Sequence, residues 1–92
     1  MNIIILYGQI IDNIDFKFIY NKYAKSLEKK NKTSIAKCRI ELENGSIVKM
    51  YGYDEIADFM YRKLQKNNSI LIEGSLDSNG DVECKTIISI NQ

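Results

Sequence analysis

The sequence predicts an all-β fold, a five-stranded barrel with a helix between its third and fourth strands and space for a second short helix. Three observations carry this. Ser46 to Leu76 reads as a strand (Ile47 to Tyr53), an amphipathic helix opening at Asp54, and a second strand (Ser69 to Glu73) that runs into Gly74-Ser75-Leu76. Asn44-Gly45, the strongest short hairpin signal, joins two runs of alternating apolar and polar residues. The same alternation, the period of a half-buried strand, recurs near both ends of the chain.

With 92 residues the chain is expected to form one domain, residues 1–92, with a modest core that a further copy or partner would help to complete. The formal charge is +1, so a polyanion partner has to be argued from where the lysines stand. Histidine is absent, which removes the commonest general base and metal ligand, and no Gly-rich phosphate loop or paired carboxylate site is present. An enzyme is therefore not expected, and no cofactor or metal is implied. Cys38 and Cys84 fit no ligand spacing and fall inside strands, where two buried thiols in a reducing cytosol are expected. The apolar run Ile3 to Leu6 is far shorter than the ~18 residues of a membrane span and follows no positive residue, so a cytoplasmic protein with no membrane partner is expected.

Asn2 to Tyr20 is dense in isoleucine and aromatic residues and predicts one long first strand bending at Gly8. Its second half sets Phe16, Phe18 and Tyr20 against Lys17, Ile19 and Asn21, so one face is aromatic. From Asn21 to Lys32 the chain turns basic, with Lys22, Lys25, Lys29, Lys30 and Lys32 against Glu28 alone. Tyr20, Tyr23, Ala24 and Leu27 recur at helical spacing, and the segment reads equally as a short helix or a loop. Its lysines either meet a ligand or simply face water.

Thr33 to Leu42 alternates Ile35, Lys37, Arg39 and Glu41 with the expected core set Ala36, Cys38, Ile40 and Leu42. Parity decides the following turn. A three-residue loop, Glu43-Asn44-Gly45, pairs Ile40 with Val48 and Cys38 with Met50, whereas a two-residue loop would mix core and solvent faces. On the outer face Arg39 then opposes Lys49, Lys37 opposes Tyr51, and Ile35 opposes Tyr53. Like charges facing one another are destabilising, and an anion lying across Arg39 and Lys49 would relieve the cost. Asp54 is the expected helix N-cap, Ile56, Phe59, Met60 and Leu64 the buried stripe, and Asn67-Asn68 the stop. Asp77 to Asp81 makes a second hairpin turn before Val82, Cys84, Thr86, Ile88 and Ile90 alternate along the last strand.

These residues resemble the bacterial single-stranded DNA-binding proteins, which are oligonucleotide/oligosaccharide-binding (OB) barrels. The likeness lies in Asn2-Ile3-Ile4-Ile5-Leu6-Tyr7-Gly8, in Met50-Tyr51-Gly52-Tyr53, in the helix Asp54 to Leu64 and in Ile70-Leu71-Ile72-Glu73-Gly74-Ser75-Leu76, and covers about half the chain. The resemblance implies single-stranded DNA as partner, little sequence preference, and a homo-oligomer, dimer or tetramer. It also implies a base-stacking aromatic at the end of the third strand. A match running back from Glu73-Gly74 puts Tyr53 there, and a match on the aromatic-Gly pair puts Tyr51 there. The sequence departs from the family in its tight second turn, its longer basic segment and its end at Gln92 without a flexible acidic tail. Wrapping of DNA and recruitment of replication partners are thus not expected, as in a reduced relative from a phage, plasmid or primosome-type system.

Single-strand binding requires cations for phosphates and exposed rings for bases. The candidate site is Lys37, Arg39, Lys49, Tyr51 and Tyr53 on one strand face, joined by Tyr20, Lys22, Tyr23, Lys25, Lys29, Lys30 and Lys32 of the basic connection. The rival readings are a protein-interaction module on the same barrel, its tyrosines packed against a partner subunit, and an RNA-binding version.

Overall fold

The computed structural model describes residues 2–20 and 32–91. In chain order it contains β1 (Ile4–Ile10), β2 (Asp15–Tyr20), β3 (Lys32–Leu42), β4 (Ile47–Tyr53), α1 (Glu55–Lys63), β5 (Ser69–Leu76) and β6 (Val82–Asn91). The sheet runs β1-β5-β6-β4-β3 and closes where β1 returns to β3, with β4 and β6 parallel and the other pairings antiparallel. This is the expected five-stranded OB barrel with its helix in the expected place. β2 pairs with β3 alone, so the two extend beyond the barrel as a ribbon.

The expected single first strand is two strands, and the break falls at residues 11–14 instead of Gly8. Asp12 causes it. Its carboxylate accepts hydrogen bonds from the Arg39 main-chain N–H at 2.9 Å, from Nε at 3.0 Å and from Nη2 at 2.9 Å, while Ile11 N–H donates to the Arg39 carbonyl at 3.1 Å. Three donors on one side chain hold the chain at a corner, where a regular ladder would have left Asp12 unpaired. Gly8 serves another purpose. It lies opposite Leu42 on one side and Ile70 on the other, and a Cβ there would sit 2.8 Å from the Glu41 carbonyl oxygen. Strand closure therefore needs glycine at this point.

The β3–β4 register is the one that parity requires, with Ile40 opposite Val48, Cys38 opposite Met50, Arg39 opposite Lys49, Lys37 opposite Tyr51 and Ile35 opposite Tyr53. Ala36, Cys38, Ile40 and Met50 are buried with Ile10, Met60, Ile70, Ile72, Val82 and Cys84. Both thiols are free, and burial pushes Cys38 up to about 12 and Cys84 up to about 11, so they behave as small apolar groups.

α1 lies directly on the end of β4. A Cβ at Gly52 would be 3.1 Å from the Ile56 Cβ and 3.3 Å from the Met60 sulfur. Ala57, Met60 and Leu64 are buried, while Ile56 and Phe59, expected in the same stripe, are half-buried. Asp54 stands at the N-cap position without capping through its side chain. It is also a partner of β3, accepting the Ser34 N–H at 3.4 Å and donating its own N–H to the Ser34 carbonyl at 3.0 Å. Its backbone takes a positive φ of 52° in place of the extended conformation of an ordinary N-cap, and its carboxylate is turned to Ser34 instead of the first helical turn. At the other end Asn67 takes a positive φ of 80°, and the buried Asn68 accepts the Gln65 N–H at 2.8 Å. The Asn67-Asn68 stop is therefore a side-chain hydrogen bond plus a left-handed residue.

β6 departs from its expected alternation. Its pairing with β5 slips twice, so that Lys85 and Ile88 are extra residues on the β6 side. Ile87 turns toward the core, and Ile88 is 48% exposed instead of buried. Bulges add the local twist that barrel closure requires. Among the described residues no helix is long and apolar enough to cross a membrane.

Candidate nucleic-acid interface

Register alone gathers one set of side chains. Lys37 and Arg39 alternate outward on β3, and Tyr51 and Lys49 stand opposite them on β4, with Tyr53 at the strand end opposite Ile35. β2 adds Asp15 opposite Lys37 and Lys17 opposite Ile35. The five strand residues expected from the sequence line one groove of about 520 Å³.

The groove also holds what sequence reasoning missed. Asp12, Asp15, Asp77 and Asp81 line it too, so among the described residues three cations face four carboxylates and that lining is one charge negative. Asp12 comes from the β1–β2 corner and Asp77 and Asp81 from the β5–β6 turn. Nothing in the local pattern around these residues signals their arrival, because each reaches the groove only through closure of the barrel.

Two of the carboxylates are engaged. Asp12 forms an ion pair with Arg39, with Nη2 to Oδ1 at 2.9 Å. The Arg39 hydrogen bonds hold the Asp12 carboxyl below its ordinary value, and Asp12 in turn raises Arg39. The relief expected from an external anion across Arg39 and Lys49 is thus supplied for Arg39 from within the chain. Lys37 and Lys49 form no ion pair with any described residue.

Asp77 organises the turn and reaches one tyrosine. Its Oδ1 accepts the main-chain N–H groups of Asn79 at 2.8 Å and Asp81 at 3.0 Å, while Oδ2 accepts the Tyr51 hydroxyl at 2.8 Å. Partial burial and then this hydrogen bond push the Tyr51 phenol well up, and the same bond holds the Asp77 carboxyl down. The Tyr53 ring meets Tyr51 edge-on at a centroid distance of 5.7 Å and is 41% exposed. Tyr51 is half-buried and tethered, whereas Tyr53 has the accessible ring.

The basic connection is only partly in view. Lys22, Tyr23, Lys25, Lys29 and Lys30 lie outside the described residues, as does the choice between helix and loop for their segment. Tyr20 and Lys32 are described, pair with each other at the end of the β2–β3 ribbon, and do not line the groove. They share the ribbon's other face with Phe18, because that face continues the side on which Phe16 opposes the buried Ala36. No group of three or more metal-ligating side chains occurs among the described residues.

No protein-family model matches this chain, and no curated protein matches it. Solved structures do. The fold is similar to that of an SSB domain from a Synechococcus sp. protein, with a TM-score of 0.69 and 20% identity over 100% of this chain and 96% of that one. It is also similar to a small single-stranded DNA-binding protein from Streptomyces coelicolor, with a TM-score of 0.56 and 9% identity over 99% of this chain and 91% of that one. These likenesses establish the shared barrel.

Proposed function

We propose that this chain is a non-enzymatic OB domain that binds single-stranded DNA with little sequence preference. The observation that carries the reading is the open Tyr53 ring sharing one groove of the barrel with Lys37 and Lys49. A base stacks on Tyr53, the two lysines neutralise flanking phosphates, and Tyr51, held by Asp77, sets the groove floor. The descriptions of the two similar structures as an SSB domain and a single-stranded DNA-binding protein support the same partner. Lysines of the connection 21–31, which leaves the ribbon at Tyr20 and rejoins it at Lys32, add further phosphate contacts.

The reading includes a homo-oligomer in the cytoplasm. Ile3, just before β1, and Ile5 and Tyr7 on it are 61%, 62% and 53% exposed, and β1 before Gly8 pairs with β5 only. A row of exposed apolar side chains beside an unpaired strand edge favours a second copy.

Fluorescence anisotropy with labelled oligo-dT at two salt concentrations tests the function. Binding that weakens with salt is expected, and Tyr53→Ala should cost about 1–3 kcal/mol, roughly 5- to 150-fold in Kd. Absence of binding at low salt refutes the reading.

A further inference from the structure

We propose that the far face of the β2–β3 ribbon is a second stacking site for the same strand, taking a base on Phe18 and its phosphate on Lys32. The proposal rests on the single-strand reading above and extends it to residues outside the groove.

The ribbon explains why these groups are open. Phe16 lies opposite the buried Ala36 and packs on Tyr61 of α1 with a centroid separation of 4.9 Å, which finishes the core on that side. Two residues further the same face has left the barrel, and Phe18 and Tyr20 are 51% and 67% exposed. Phe18 is nevertheless held. Its ring meets Phe16 edge-on at 5.4 Å, and the Lys32 ammonium stands 4.5 Å from its centroid. A ring fixed by a neighbour on paired strands, with a cation already at its face, is what stacking on a base with a phosphate contact requires.

The place is continuous with the groove. A hollow of about 640 Å³ lies between this face and the start of α1, lined by Phe18, Lys32, Ser34, Ile56, Lys85 and Tyr53. Tyr53 lines both hollows, so a strand crossing its ring passes from one to the other without a gap. Asp54 and Glu55 stand on the helix side of the hollow, and Lys85 is paired with Glu83 at 2.8 Å. Repulsion from those two carboxylates places the phosphates on the Lys32 side and turns base edges toward the helix. The occupant is a polyanion and not an apolar partner, because the connection between Tyr20 and Lys32 carries Lys22, Lys25, Lys29 and Lys30 against Glu28 alone.

The test compares oligo-dT at the two ends of the ~4–16 nucleotide range that OB folds occupy, the shorter filling the groove only. Phe18→Leu keeps apolar bulk against Phe16 and removes the ring. It should weaken the long oligonucleotide by roughly 5- to 150-fold, leave the short one unchanged, and be rescued by Phe18→Tyr. Lys32→Gln should lower the salt slope for the long oligonucleotide by about 0.7. The proposal is overturned if Phe18→Leu leaves both lengths unchanged, weakens both equally, or alters the oligomeric state in sedimentation with long-strand affinity intact. In each of those outcomes the wild-type protein still binds and the function stands. If wild type binds neither length, both readings fall together.

Discussion

Replacing Asp12 by asparagine isolates the most consequential contact in the groove. In the native chain the Asp12 carboxylate takes both Nε and Nη2 of Arg39, at 3.0 and 2.9 Å, which is the geometry a phosphate would use. Arg39 is therefore committed before any nucleic acid arrives, and of the three groove cations only Lys37 and Lys49 are open. Asparagine has the same shape and still offers one oxygen to the Arg39 main-chain N–H, so the β1–β2 corner survives while the ion pair is lost. One additional phosphate neutralised on a single strand steepens the dependence of log K on log salt by about 0.7, an extra loss of roughly 2.6-fold between 50 and 200 mM. Asp12→Asn is thus expected to bind oligo-dT more tightly at low salt and to lose affinity faster as salt rises. Anisotropy titrations at several salt concentrations measure this, with two controls. Asp81→Asn changes the lining charge equally without freeing Arg39, and Asp12→Asn in an Arg39→Gln background removes the beneficiary. An unchanged salt slope in Asp12→Asn, or an equal gain in either control, would refute the role given to Arg39.

Two further predictions concern the scaffold. Gly74→Ala places a Cβ within 3.0 Å of the Glu83 carbonyl oxygen and 3.1 Å from Val82 Cγ1, next to a bulge where neither strand has slack. An overpacking cost of about 1–3 kcal/mol is expected, read as a fall in Tm of about 4–8 °C per kcal/mol, and an unchanged Tm would show that the sheet yields there. Asp77 supplies the acid-side check. Because its folded pKa lies below the ordinary 3.8, its contribution is complete above that pH and is lost as pH falls through the lower folded value. Tm measured between pH 6 and pH 2 should therefore drop more steeply for the wild type than for Asp77→Asn, and parallel curves would remove Asp77 from the clasp on Tyr51.

Much of the barrel was legible because its determinants are close in sequence. The Asn44-Gly45 turn and the parity of its flanking runs set every pair from Ile35 opposite Tyr53 to Ile40 opposite Val48, since one slipped residue would have put Cys38 and Met50 on opposite faces. The same register brought Lys37, Arg39, Lys49, Tyr51 and Tyr53 to one surface. Asp54 is the N-cap residue as expected, but its side-chain capping bond, the alternation of β6 and the bend at Gly8 were misread, each for a reason that lies across the barrel. Asp54 is drawn to Ser34, β6 bulges to let the sheet close, and the first strand breaks where Asp12 finds Arg39.

The sequence by itself determined the β3–β4 hairpin, the helix, the strand that follows it and the composition of the cationic and aromatic face, because alternation and turn chemistry act over a few residues. Only the tertiary structure decided how that face is balanced. Asp12 meets Arg39 across 27 positions and Asp77 meets Tyr51 across 26, and no local pattern encodes contacts that exist only once the sheet has closed on itself. Those two carboxylates commit Arg39 and tether Tyr51, leaving Lys37, Lys49 and the Tyr53 ring as the groups open to a ligand.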